Sequence, residues 1–333
     1  MSPLSPSLDV TNQNSHYFYS KLLALTLAVI LNSGLLPAQG KLSDHDLALR
    51  NETLTHSTKS NSTPEQFYIE ELPFNTSAYE YATGFYDGKL IVVTNRKVTS
   101  TRNSLFDQSE FKLMGIKRNL NTWEHPHLLA GIFSGKEDHG GITFSADLTR
   151  VYYTKAILNS SRFELFTAER SSKYTQLWKN PKKVLNLDGP YSIENPWLSA
   201  DGRLLYFASN KPGGYGGYDL YTSQVLPDGS LGQPKNLGSY INTDLDENFP
   251  SLNNYDTLLY FASNKSGGYG GFDLYKCRVS QGNYSNPQNL GSAINTTANE
   301  LGLVPESENF GYYSSDKDAL GRNTLNIYSY EAR

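Results

Sequence analysis

Cysteine is almost missing from this 333-residue chain. Cys277 stands alone, so no disulfide can close within the chain and no cysteine-built metal site can form. Cys277 reads either as a reactive thiol or, more simply, as a small side chain on a strand. Charge of one sign is missing too: 29 Lys and Arg stand against 33 Asp and Glu, a net charge of −4. No strongly basic face is expected, and nucleic acid is not an expected partner. Long apolar runs are also lacking. Leu22 to Leu31 holds about ten apolar residues, too few to span a bilayer comfortably. No Gly-x-Ser-x-Gly elbow and no phosphate-binding loop ahead of a helix can be found. Ser199-Ala200-Asp201-Gly202-Arg203 begins like a sialidase Asp-box but has no Thr-Trp. What is abundant is tyrosine, 24 residues, and glycine, 27, a composition suited to narrow strands and tight turns.

The first 65 residues differ from the rest. Lys21, the apolar Leu22 to Leu31 and the small-residue exit Pro37-Ala38-Gln39-Gly40 form a secretory signal pattern. Residues 1–40 are therefore expected to be a signal peptide with a long polar n-region, cleaved after Gly40 and leaving no stable membrane span. No cysteine lies near the exit, which excludes a lipid-anchored form. Residues 41–65, rich in Ser, Thr, Asn and charge, read as a flexible linker. The protein is expected to be periplasmic or secreted.

From residue 66 onward a repeat governs the chain. Leu204-Leu205-Tyr206-Phe207-Ala208-Ser209-Asn210-Lys211 recurs from Leu258 to Lys265, a step of 54 residues, and each copy runs on into Gly-Gly-Tyr-Gly-Gly and an aromatic-Asp-Leu-Tyr strand. Weaker copies lie at 87–96, 147–155 and 308–316. Short strands repeating at this period mark propeller blades. The expected fold is all-β, a five-bladed β-propeller of four-stranded antiparallel blades over residues 66–333. Four outer strands follow their blades, near Leu128, Val184, Asn236 and Asn289; the fifth is expected at residues 67–74, pairing the two ends of the domain in one sheet and removing an exposed edge. The Gly-Gly-Tyr-Gly-Gly turns are expected to need positive φ at several positions.

Glu194-Asn195-Pro196-Trp197-Leu198-Ser199-Ala200-Asp201-Gly202, followed by Leu204 to Asn210 and Gly217 to Tyr221, resembles the WD-like Pro-Asp repeat of TolB-type periplasmic propellers. The version found in envelope proteins of Bacteroidetes-type bacteria, where the repeat often precedes an OmpA-like domain, is the most similar. Ala146, Ala200 and the Asn254-Tyr255 pair replace the family's proline before aspartate, and no OmpA-like domain follows. The resemblance implies a non-catalytic protein-interaction scaffold whose partner is another envelope or exported protein, with no cofactor.

Several side chains are candidates for a site. Glu80, Asp138, Glu194, Glu247 and Glu300 are each expected just before the first strand of a blade. They read as an acidic ring that binds a basic segment or, because they repeat, as carboxylates that hold loop amides and lock blades. Asp219 and Asp273, just after the glycine turns, read as structural turn carboxylates or, less simply, as a catalytic pair; Glu164, Asn326 and, in blade one, Lys112 are the polar residues at the same strand position. Tyr215 and Tyr269 sit within the turns and offer contact area if they face solvent. Asp244-Leu245-Asp246-Glu247-Asn248 lacks a calcium-loop spacing, and His125, His127 and His139 lack an evident third-ligand pattern, so no metal is expected. The competing reading is a carbohydrate-active module that binds glycans or hydrolyses them.

Overall fold

The computed structural model describes residues 66–96, 111–120, 122–134, 137–157, 160, 162–174, 177–184, 189–318 and 324–333. The expected signal peptide and linker lie outside the described residues. The described strands form five antiparallel sheets arranged as the blades of a five-bladed propeller.

Blade one holds β2 (Glu80–Tyr86), β3 (Lys89–Thr94) and β4 (Lys112–Asn119), with the short β5 (Thr122–Trp123) and β6 (His127–Leu128) on β4. Blade two is β7 (His139–Phe144), β8 (Arg150–Ala156), β9 (Phe163–Glu169) and β10 (Lys179–Lys183). Blade three is β11 (Ile193–Leu198), β12 (Leu204–Ser209), β13 (Asp219–Gln224) and β14 (Lys235–Asn236). Blade four is β15 (Glu247–Leu252), β16 (Leu258–Ser263) and β17 (Asp273–Ser280), with β18 (Asn283–Tyr284) and β19 (Gln288–Asn289) on β17. Blade five is β20 (Glu300–Pro305), β21 (Phe310–Ser315), β22 (Asn326–Ala332) and, from the other end of the domain, β1 (Phe67–Glu71).

The closure is the one expected from sequence. Phe67 pairs with Ala332, Ile69 with Tyr330 and Glu71 with Tyr328. Leu72 is buried and donates its N–H to Ile327 O at 3.0 Å, so the pairing reaches one residue past β1.

The second strand of each blade reads as an unbroken apolar run because both of its faces are covered. Leu205 and Phe207 pack toward blade two with Tyr152, Leu165 and Ile193. Tyr206 and Ala208, one residue off in the pleat, pack toward blade four with Leu259, Phe261 and Cys277. Burying a side chain the size of Phe207 contributes about 2–3 kcal/mol, and every blade repeats the arrangement. Cys277 is buried in this layer, and burial pushes its thiol up to about 12, so it stays neutral at physiological pH.

The turns before the second strands of blades three and two follow one rule. Ser199 Oγ donates to Asp201 Oδ1 at 2.7 Å, and Asp201 Oδ1 accepts the Arg203 N–H at 2.9 Å. Ser145 and Asp147 repeat this in blade two, with Thr149 as the N–H donor. Serine and aspartate organise the turn together, and the Ala200 N–H donates to Asp256 Oδ2 at 2.9 Å, a bond that proline could not make.

Candidate functional site

The five acids do not form a ring. Strand pairing divides them into three groups, and register decides which. Glu80 pairs with Thr94, Glu247 with Ser263 and Glu300 with Ser315, all at the start of the innermost strand. At this register His139 stands in blade two, opposite Lys155, and Ile193 in blade three, opposite Ser209. Glu194 lies one residue further on, opposite Ala208. A shift of one residue turns a side chain to the other face of its strand.

Glu80, Glu247 and Glu300 are fully buried, and each closes the same clasp. The sequence Asn-Thr-x-x-x-Glu occurs at Asn75–Glu80, Asn242–Glu247 and Asn295–Glu300. Thr243 gives its N–H and hydroxyl to Glu247 at 2.7 Å each, and Ser263 adds a third donor at 2.7 Å. Thr296 and Ser315 surround Glu300 in the same way. Thr76 and Thr94 do so for Glu80, where Arg96 adds an ion pair at 2.6 Å. The preceding asparagine holds the third strand of the previous blade by both its backbone groups. Asn242 accepts from Leu220 N and donates to Leu220 O, and Asn295 does so with Leu274 and Asn75 with Ile327. Burial raises the carboxyls of Glu247 and Glu300 above their ordinary range, against the pull of these donors.

Asp138 belongs to a different set. Its Oδ1 accepts the Phe111 N–H at 2.8 Å, as Asp246 Oδ1 does from Tyr218 and Asn299 Oδ1 from Phe272. In the acidic loop Asp246 and Glu247 are therefore buried and internally paired, and Asp244 alone of its three acids is exposed.

Asp219 and Asp273 hold the glycine turns. Asp219 accepts from the Tyr215 and Gly216 N–H groups at 2.7 and 3.0 Å, and Asp273 from those of Tyr269 and Gly270 at 2.6 and 3.2 Å. Asn236 and Asn289 each donate a further bond to them at 2.7 Å. Glu164 instead pairs with Lys183 at 2.6 Å, and Asn326 donates to Glu71. Positive φ is needed only once per turn, at Gly213 (φ 90°) and Gly267 (φ 88°), fewer positions than the sequence suggests. The later glycines answer to crowding: a Cβ on Gly216 would overlap the carbonyl of Leu245, and one on Gly270 that of Ala298. The turns thus lie against the loops of the next blade, where Gly217 N–H reaches Leu245 O at 3.0 Å.

Within these locked turns Tyr215 is 53% and Tyr269 50% exposed. Tyr240, on the loop leading from β14 to β15, is exposed on the same side of the ring. Tyr218 is buried instead, and Phe272 partly so. His125 and His127 are exposed on the outer part of blade one, whereas His139 is buried at the inner strand, so the three do not gather. Among the described residues no cluster of three His, Cys, Asp or Glu is placed to hold a metal ion.

Glu194 stands apart from the other acids. It faces a cavity of about 120 Å³ at the mouth of the central channel, on the side of the glycine turns. Each blade lends its inner strand to this wall: Tyr81, Gly140, Glu194, Phe249 and Leu301 all line it. Phe163, at the start of β9, and Phe272 and Asn264, from the surrounding turns, complete it. Glu194 is the single carboxylate in this lining. Its Oε1 accepts the Tyr218 hydroxyl at 2.7 Å. Burial holds its carboxyl above the ordinary range, although hydrogen bonds from Tyr218, Ser192 and Asn248 work the other way.

Each inner strand carries a bulge just past its first residues. Asn195 (φ 48°), Phe249 (φ 53°) and Gly302 (φ 58°) occupy the left-handed region at equivalent positions in three successive blades. Asn195 Nδ2 donates to Asn248 Oδ1 at 2.8 Å, and Tyr81 meets Phe249 edge to face at 5.4 Å. Asn195 and Phe249 line both the mouth cavity and a smaller one of about 20 Å³ beyond, so they divide the channel. Gly141 fits here because a Cβ would stand 2.7 Å from the Asn195 Cα. Nothing in the sequence pattern announces the bulges. Aligning Pro196 with Pro250 would have set Glu194 against Asn248 rather than Glu247.

No family model and no curated protein matches this chain. Solved structures do. TolB from Acinetobacter baumannii is 15% identical with a TM-score of 0.40, over 78% of this chain and 56% of that one. The chain therefore spans little more than half of that TolB. A putative TolB from Agrobacterium tumefaciens is 13% identical with a TM-score of 0.41, over 66% of this chain and 68% of that one. A GH43 β-xylosidase/α-arabinofuranosidase from a compost microbial metagenome, solved with xylotriose in a calcium-free form, is 10% identical with a TM-score of 0.51, over 80% of this chain and 94% of that one. What the chain shares with these proteins, at such identities, is the β-propeller fold alone.

Proposed function

We propose that the protein is a non-catalytic binding module of the bacterial envelope that docks another envelope or exported protein on the face bearing the channel mouth. The observation that carries this reading is the pair Tyr215 and Tyr269. Each is half exposed on a turn whose amides are held by a buried aspartate. Rigid aromatic side chains on a fixed backbone give contact area with little loss of entropy on binding. The TolB-like repeat and the N-terminal targeting pattern support the envelope setting.

Glycoside hydrolysis uses two carboxylates flanking the scissile bond. The described lining of the mouth offers Glu194 alone, which favours binding over bond cleavage.

The test is comparative capture from envelope extracts, quantified by mass spectrometry. Tyr215→Ser with Tyr269→Ser is expected to lower recovery of the captured protein by about tenfold, in line with the loss of aromatic interface anchors. Tyr255→Ser, an exposed tyrosine at the opposite end of blade four, is expected to leave it unchanged. Equal recovery with all three proteins would overturn the assignment of the face.

A further inference from the structure

We propose that the cavity at the channel mouth receives the alkylammonium head of a lysine side chain presented by the docked partner, with Glu194 as its counter-ion. This rests on the binding-module reading and names the chemistry recognised there.

The first support is an imbalance of charge. Glu80 is buried and meets Arg96 at 2.6 Å. Glu194 is also buried, yet no cation among the described residues pairs with it, and its hydrogen bond from Tyr218 comes from a neutral hydroxyl. A carboxylate taken out of water without a counter-charge is unfavourable, and an incoming cation removes that penalty.

The second support is the wall. Tyr81, Phe163, Phe249 and Phe272 line the same cavity as Glu194. Ring faces attract organic cations, more strongly where water is excluded. The cavity, about 120 Å³, is of the order of one that accepts a benzene molecule, so it takes a small head group on a narrow stem.

The third support is what the donor set rejects. Calcium seeks six to eight oxygens. Asn264 Oδ1 already accepts the Asp246 N–H and Asn299 Oδ1 the Phe272 N–H, which leaves Glu194 as the one charged oxygen ligand beside Asn195 and the neutral hydroxyls of Thr154, Tyr79 and Tyr81. An anion meets Glu194 with the wrong sign. An ammonium matches the charge, the size and the walls together.

The raised Glu194 carboxyl adds a signature. A bound ammonium favours the ionised form, so binding releases a proton and strengthens as pH rises through the Glu194 titration.

The experiment titrates the folded protein with Nα-acetyl-lysine methylamide, followed by calorimetry and by the ring resonances of the aromatic wall. The analogue acetylated on Nε serves as the uncharged control. The free ammonium is expected to bind at least about tenfold more tightly than the acetylated form, and Glu194→Gln, checked for an intact melting transition, is expected to remove that preference. Affinity is expected to rise with pH across a range above the ordinary carboxylate titration. Phe272→Leu, which thins the wall and spares the carboxylate, is expected to weaken the lysine probe about threefold or more. Equal affinity for the two probes, or an undiminished preference in folded Glu194→Gln, overturns the proposal. Partner capture that survives while the lysine probe fails overturns the ammonium site and leaves the binding face standing. Probe binding with no captured partner keeps the ammonium site and overturns the binding-module reading.

Discussion

Thr243 donates both its backbone N–H and its hydroxyl to the carboxylate of Glu247, four residues ahead, at 2.7 Å each. With Ser263 as a third donor, one fully buried side chain joins a loop to two strands. Glu247→Ala leaves three donors with no acceptor, and the expected loss is about 3 kcal/mol or more. Glu300→Ala should lose a similar amount, because its three donors are the same in kind. Urea denaturation monitored by tyrosine fluorescence measures both. A loss below about 0.5 kcal/mol, the scale of an ordinary surface substitution, would show that the clasp does not hold the ring.

His139 occupies the clasp position in blade two, where it is buried and neither ring nitrogen has a hydrogen-bond partner among the described residues. Burial first, and then Lys112 and Lys155, lower it from 6.5 to about 4. Because the folded value lies below the unfolded one, the unfolded chain binds more protons between the two. Stability contributed by neutral His139 is present above about pH 6.5 and is lost as pH falls toward 4. His139→Met removes the titration. The difference in unfolding free energy between the wild type and this variant is expected to change by about 3 kcal/mol from pH 7 to pH 4. A flat difference would contradict the assignment.

Two glycines of one turn should answer differently to alanine. Gly213 has φ 90° with nothing within 4 Å of a built Cβ, so the penalty is backbone strain of about 1 kcal/mol. At Gly216 a Cβ overlaps the backbone oxygens of Leu245 and Thr243, and the turn must leave the next blade. About 3 kcal/mol is expected there. Thermal melting of the two variants decides the order.

The closing strand can be tested by a proline walk. Gln66 N–H reaches Arg333 O and Leu72 N–H reaches Ile327 O, so the even-numbered residues of β1 carry the ladder and the odd ones turn their N–H outward. Glu70→Pro is expected to break the closure, with loss of about 3 kcal/mol and aggregation visible on gel filtration. Ile69→Pro keeps the ladder bonds and should be the milder of the two.

The sequence carried the fold almost completely. A 54-residue step, five copies of one strand and an orphan outer strand near Ile69 are enough to specify a closed ring, because propeller blades are repeated and bury both faces. The site was less legible. Glu194-Asn195 and Glu247-Asn248 look alike in sequence, yet pairing sets them one residue apart, and the pleat sends one glutamate to the channel and the other into a clasp. Asn-Thr-x-x-x-Glu was visible three times, but only the hydrogen bonds show that it fastens neighbouring blades. The left-handed residues at Asn195 and Phe249 gave no warning, since neither residue type nor spacing marks a bulge in a strand that all five blades share.

The fastening is unequal around the circle. Asn-Thr-x-x-x-Glu leads into blades one, four and five, while the stretches before His139 and Ile193 do not contain it. Blade two is thus the sector with this clasp missing on both sides, its seams held instead by single hydrogen bonds such as Phe111 N–H to Asp138 and Phe163 N–H to Ser192. Under heat or pulling force, the wheel should give way at that sector first, and hydrogen exchange there should outrun exchange in the other four.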